Sequence, residues 1–573
     1  MSIYDKASLV LIPSGSKTSK VYSQKPTNGD GDFTFSRSTA ATRVNASGNI
    51  EKETMNLLFP SEGTTTGWSA SGIGTNTSTI LTGQQDPNGG TQGYRWTAIC
   101  GATTSDRAWY RKNITAGGEV YTLSFWVKSA TGSDQNVGFH FSGGTGTPLT
   151  ATSSWQRVQY YGVAGVGSSY YGIEIRGTLT DQSADVYIYG MQLEYGLVAR
   201  DYIETTTTAI YGGITDNVPR LDYTDSSCPA LLLEPQRTNN ITQSEYVDSW
   251  GVKTNISVVS NDGTSPEGVI NASNIYPTTT GACFLYEGSI TYTSGTTYTY
   301  SVFAKANGKD YLQITTSGAS FSNQYCTFDL ALGSTDNNGF ESVGIEDYGN
   351  GWYRCYVVET AISTASSRFV IGLVSNANAG RLSSITPSGT NGVLIYGVVS
   401  EAGSYATSYI PTYGSAVTRA YENQDATGLS TSVFNNDDLT LFYDFDYNAD
   451  GREGSTTAYR IFSGTSQLGI KGRSGSSRSV EIYSSGSFSG SIVFNNIANS
   501  SRIKVALRIT NGTCELFFNG AKDTETIDVS GAAPYNWGQI TMLASSSLNT
   551  SLNQCLGFPT ALTDQELIDL TTL

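Results

Sequence analysis

Histidine occurs once in this chain, at His140, and no Cys-x-x-Cys pair occurs among its seven cysteines. A multi-histidine metal centre or a Ser-His-Asp triad would have to use that single residue. Zinc ribbons and redox dithiols are not written here, and the widely spaced cysteines read as reduced, buried thiols. Charge is also scarce, at 14% of residues against about 25% in an average soluble protein. With 33 basic and 49 acidic residues the net charge is −16. Affinity for nucleic acid comes mainly from Lys and Arg on phosphates, so such a partner is excluded. No window approaches the ~18 apolar residues of a membrane span, so no membrane insertion is expected. The opening MSIYDKASLVLIPSG has too weak an apolar run for a signal peptide. Glycine clusters lack the strand–loop–Lys–helix setting of a phosphate loop.

What the chain has instead is short runs of Val, Ile, Tyr, Phe and Thr that alternate with polar residues. Gly, Ser, Asn and Asp clusters separate them. VYTLSFWVKS (120–129), YGIEIRG (171–177) and RIKVALRIT (502–510) are examples. Period-2 alternation gives a strand one apolar and one wet face, as a β-sandwich needs. The fold class is therefore all-β. One helix is expected, at the C-terminus, where Thr563 and Glu566 form a capping box. Thr510-Asn511-Gly512 reads as a tight hairpin turn.

An internal repeat sets the domain plan. NLLFPSE (56–62) matches NNITQSE (239–245), followed by Trp68 and Trp250 respectively. GGEVYTLSFWVK (117–128) matches SGTTYTYSVFAK (294–305), and Trp155-x-Arg157 matches Trp352-x-Arg354. VYIYGMQLEYGLVARDYIET (186–205) matches VLIYGVVSEAGSYATSYIPT (393–412). The plan is an N-terminal segment (1–55), a first sandwich (56–207), an extended lead-in (208–238), a second sandwich (239–415), a linker (416–435) and a third, unrelated sandwich (436–573).

The two repeated blocks resemble the jelly rolls, related to carbohydrate-binding modules, that recur in tailed-phage virion proteins. The third resembles the concanavalin A-like (laminin-G-like) fold, through KVALRITNGTCELFFNG and the closing FPTALTDQEL. DFTFSRSTAATRVNASGNIE and PRLDYTDSSCPALLLEPQRTN resemble segments of phage structural proteins. This implies a non-enzymatic virion component, a tail fibre or appendage assembled in the bacterial cytoplasm. Residues 1–55 would attach it to other virion proteins, a homo-oligomer (trimer or ring) would multiply weak contacts, and a host-surface glycan is the candidate ligand. A purely structural decoration or joint protein of capsid or tail is the alternative, and a glycan-degrading tail enzyme the second.

Trp68, Trp155, Trp250 and Trp352, matched between the repeats, read as core, as does Trp126. The unmatched Trp96, Trp109 and Trp537 are better platforms for sugar C–H faces. Tyr94, Trp96, Trp109, Tyr110 and Arg111 are the candidate glycan-binding residues, and His140, in the strand-like VGFHFSGG, is read as structural. No resident cofactor is expected, with one candidate exception. Asp446, Asn448 and Asp450, ahead of Gly451, match the opening of a calcium loop, although Thr457 stands where its bidentate Glu would be.

Overall fold

The computed structural model describes residues 2–142, 146–434, 438–448, 456–473, 479–486, 490–494, 501–532, 536–543 and 549–573. Its strands pair antiparallel throughout the named ladders and stack as three β-sandwiches. In the first, one sheet runs Thr147–Ala151, Gln135–Phe141, Gly167–Arg176, Arg107–Ala116, Trp68–Ile73. The other runs Gln156–Val163, Val120–Ser129, Ser183–Tyr195, Gly93–Cys100, Asn76–Gln84. Alternation aims Trp96, Tyr110, Phe125, Ile173 and Ile188 at a shared core. Each such side chain contributes about 1.5–3 kcal/mol through burial.

The second sandwich has the same strand order. Its two central ladders join Gly392–Ala402 to Thr297–Asn307 and Ala365–Leu373 to Tyr311–Gly318. Edge strands Ser334–Asp336 and Ser342–Asp347 are additions. The likeness extends to single hydrogen bonds. Asn56 Nδ2 donates to Met191 O and Ile203 O, and Asn239 Nδ2 to Val398 O and Ile410 O. Ser61 Oγ meets Tyr202 OH at 2.6 Å, and Ser244 Oγ meets Tyr409 OH at 2.7 Å. Arg157 Nη2 donates to Ser124 Oγ and Arg354 Nη2 to Ser301 Oγ.

The third sandwich is assembled from four stretches of chain. Leu9–Leu11 and Ala230–Leu233 both pair with Asn549–Phe558. In the opposite sheet, Phe33–Ser36 pairs with Asn423–Thr427, which pairs with Trp537–Leu543. Leu9, Leu11, Phe33, Phe35, Leu231 and Leu233 thus share one core with Leu441 and Trp537. This differs from the expected series of independent blocks. The segments read as attachment arm (1–55), lead-in (208–238) and linker (416–435) all donate strands to the third sandwich. The physical reason is edge protection: an uncovered strand of the 439–558 region would expose ladder groups and leucines to solvent. The C-terminal helix, Asp564–Thr571, starts at the expected capping box, with Thr563 N donating to Glu566 Oε2 at 2.9 Å. Asn511 and Gly512 carry the positive φ angles (50° and 78°) of the tight hairpin turn.

Buried ions fix these crossings. Glu422 takes Arg37 Nη1 at 2.8 Å and Arg220 Nε at 2.7 Å, while Glu234 takes Arg220 Nη1 at 2.7 Å and Arg419 Nη1 at 2.8 Å. All five residues are buried. A second cluster joins Lys52 to Glu245 and Glu267, with Arg200 of the first sandwich also on Glu267. Against the penalty of its burial, Arg419 and Arg220 of the first cluster hold Glu234 down to about 2.

Candidate functional site

The outward face of the first sandwich's Arg107–Ala116 sheet carries polar groups in three ladder rows. Arg107 stands opposite Ile73 and Arg176, and Trp109 opposite Ser71 and Glu174. Arg111 stands opposite Ser69 and Gly172, and Gly172 opposite His140. Strand alternation puts Arg107, Trp109 and Arg111 on this face and Ala108 and Tyr110 in the core. Gly138 and Gly172 leave the middle of the floor without side chains.

Over that floor the groups interlock. The Arg111 guanidinium lies 3.7 Å from the Trp109 ring centroid and 3.8 Å from that of Tyr170. Arg111 Nη1 is 2.9 Å from His140 Nε2, and His140 Nδ1 is 2.6 Å from Glu174 Oε2. The other oxygen of Glu174 accepts from Arg176 Nε. Burial pushes the His140 pKa down despite Glu174. A neutral ring fits both contacts: Nδ1–H donates to Glu174 and Nε2 accepts from Arg111. Glu174 is thereby compensated by Arg176. Arg107 and Arg111 make no ion pair among the described residues. The buried atoms Trp109 Nε1, Arg107 Nε and Arg111 Nε likewise have no hydrogen-bond partner there. An unanswered buried donor is costly, and a cluster of them is ready to receive an acceptor.

The expected glycan-binding residues are therefore split. Tyr94, Trp96 and Tyr110 are corrected: all three are core side chains, at most 1% exposed. Tyr94 OH donates to Thr64 O and Trp96 Nε1 to Ser78 Oγ. Trp109 and Arg111 do share the outward face, but the Trp109 ring is covered by Arg111 and offers no open platform. Trp537, the remaining unmatched tryptophan, is in the third core. Of the repeat-matched tryptophans, Trp250 and Trp352 are buried, whereas Trp155 is half-buried. His140, read as structural, turns out to bridge the face. Arg107, Tyr170, Glu174 and Arg176 were not singled out by sequence. The spacing Arg107-x-Trp109-x-Arg111 was the available signal, since it places all three side chains on one face of a strand.

The second sandwich treats the matching face differently. There Phe284, Gly372 and Gln313 occupy the row of Trp109, Glu174 and Gly138. The segment 380–382 lies on it. Gln313 Oε1 accepts from Leu382 N at 2.6 Å, and Arg381 Nε donates to Thr315 Oγ1 at 2.7 Å. A Cβ on Gly372 would sit 2.4 Å from Leu382 Cδ2, so the glycine admits the capping leucine. One copy is closed by its own chain, and the other keeps buried donors without a partner among the described residues.

The calcium-loop reading is also corrected. Asp446 and Asn448 belong to the strand Leu439–Asn448, paired with Asn549–Phe558, and do not lie in a loop. Asp446 Oδ2 accepts from Asn553 Nδ2 at 2.9 Å. Asp450 lies outside the described residues, and among those described no group of three or more His, Cys, Asp or Glu could hold a metal ion. Asp446 instead lines a cavity of about 650 Å³ between the second and third sandwiches, with Asp222, Asp225, Glu346, Asp347 and Arg354. Burial, with carboxylate neighbours, pushes Asp225 and Asp446 up.

No family model and no curated protein matches the chain. Among solved structures, the Ruminococcus gnavus IT-sialidase CBM40 bound to α2,3-sialyllactose is 16% identical, with a TM-score of 0.20 over 24% of this chain and 83% of that one. The N-terminal CBM22-1-CBM22-2 tandem of Xyn10C from Paenibacillus barcinonensis is 15% identical, with a TM-score of 0.22 over 61% of this chain and 96% of that one. The GH43 protein BlXynB of Bacillus licheniformis is 8% identical, with a TM-score of 0.19 over 89% of this chain and 99% of that one. Scores of this size carry no correspondence of sites.

Proposed function

We propose that the chain is a non-enzymatic structural protein of a tailed-phage virion, a tail fibre or appendage that holds host-surface glycan on the outward face of its first sandwich. The observation that supports glycan holding is the divergence of two otherwise matching copies. The second copy fills its outward face with residues 380–382, while the first keeps unanswered donors at the same place. Hydroxyl-rich sugars supply many acceptors, and weak single sites become useful when several act together. A homo-oligomeric trimer or ring would provide that multiplicity. The virion setting rests on the sequence resemblance. Attachment to other virion proteins would then use the folded surface built by residues 1–55, because strands within that segment are held in the third sandwich.

A glycan array probed with the full chain tests the reading: binding is expected, and loss of the bound hit is expected in Trp109→Phe. Antibody labelling of intact particles tests the location. An array without hits would favour the decoration or joint role. The cavity lined by Asp222, Asp225, Glu346 and Asp446 favours the hydrolytic alternative, since glycosidases work with paired carboxylates. Release of reducing ends from a bound glycan would establish it over the non-enzymatic reading.

A further inference from the structure

We infer that the group received by the first sandwich's outward face is the carboxylate of an acidic sugar; this rests on the glycan-binding reading and narrows it. Three features combine. First, Arg107 and Arg176 stand directly opposite on neighbouring strands, a like-charge pairing that is unfavourable unless an anion or carboxylate lies between or beside it. Arg176 has Glu174; Arg107 has no ion-pair partner among the described residues. Second, the single carboxylate of the cluster is fully engaged, by His140 through one oxygen and Arg176 through the other. The face therefore keeps two positive charges in a chain whose net charge is −16. Third, Trp109 is 5% exposed and its Nε1 donates to nothing among the described residues, on the same strand face as the free Nε atoms of Arg107 and Arg111.

A carboxylate matches this set better than a neutral hydroxyl does. A guanidinium edge presents parallel N–H bonds at the spacing of two carboxylate oxygens. Arg111 is already oriented, clamped between Trp109 and Tyr170 and tied to His140, so little side-chain entropy is lost when it binds. A sulfate ester carries the same sign and can also take two parallel N–H bonds, so the experiment sets it against the carboxylate. Because the rest of the chain is acidic, attraction to a polyanion is local to this face and does not follow from overall charge.

Affinity electrophoresis of the full chain tests this in gels containing polygalacturonate, hyaluronate or polysialic acid, their methyl esters, neutral dextran and xylan, or dextran sulfate. Retardation by at least one carboxylated polymer, weakened about tenfold or more by esterification, is expected, the scale of losing hydrogen bonds to a charged partner. Arg107→Gln and Trp109→Phe should each weaken retardation by a similar factor. Arg107 is half-buried and Trp109→Phe keeps an aromatic ring in place of the indole, so both variants should fold; a melting curve checks this. Equal retardation by ester and acid, or by neutral polymers alone, overturns the carboxylate and leaves the glycan reading intact. Retardation by dextran sulfate alone also overturns it. Retardation by none of these polymers overturns the carboxylate, and the glycan array then decides the glycan reading by itself.

Discussion

His140 shows how much a single side chain can decide here. It is the one histidine, and on the buried outward face it stays neutral between Arg111 and Glu174, with Arg176 behind the carboxylate. Burial lowers its pKa from the ordinary ~6.5. The sign follows: the unfolded chain takes up a proton below that value while the folded one resists. The contribution to stability is full above about pH 6.5 and lost as pH falls toward the folded value. Wild type should therefore lose more melting temperature between pH 7.5 and 5.5 than His140→Gln does; equal losses would show that His140 is not held neutral. Glu174→Gln should cost about 1–3 kcal/mol, the penalty for loosening a buried charged hydrogen-bonding group, read as a drop in thermal midpoint. At this scale the sequence was half legible. Trp109-Tyr110-Arg111 reads as a cluster in the sequence, but contiguous residues on a strand point to opposite faces, so Tyr110 turns inward and Arg107, two before Trp109, joins the outward face. Tyr94 and Trp96, two apart, share a face, and it is the core face.

Among the elements, the repeat was legible because each copy keeps its turn and core residues. Asn56 and Asn239 make the same four bonds, two as donor and two as acceptor. The duplicated lead-ins are alike in letters but not in use: Glu51 pairs with half-exposed Arg43, whereas Glu234 is buried among arginines. The strand-donating role of Leu9–Leu11 could not be read from sequence, since a three-residue apolar run does not name its partner, here Cys555–Gly557 at the far end of the chain. The buried ions make this element testable. Glu422→Gln leaves Arg37 and Arg220 without their shared carboxylate and should cost about 3–5 kcal/mol, measured by denaturant unfolding. Glu234 and Glu422 are both held below the ordinary carboxylate range by these arginines. Their stabilisation is present above about pH 4.3 and is lost as pH falls through their lowered folded values, for Glu234 toward about 2. Glu422→Gln should therefore flatten the acid limb of the stability curve; an unchanged limb would show that the pair does not control it.

The whole molecule is three sandwiches locked by crossing strands and buried ions. A chain beginning at residue 41 lacks the strands Leu9–Leu11 and Phe33–Ser36 and the Arg37–Glu422 pair. It should lose the third sandwich cooperatively, with proteolysis starting beyond residue 438; resistance equal to that of the full chain would contradict the interlock. The overall all-β architecture was legible from alternation. The interlock was not, because it depends on contacts between segments hundreds of residues apart. The most direct test of the central claim is a crystal structure of the full chain with a bound acidic oligosaccharide. The account places the sugar's carboxylate against Arg107, Trp109 Nε1 and Arg111 of the first sandwich. Density for the sugar on the second sandwich, or in the cavity beside Asp446, with that face empty, would contradict it.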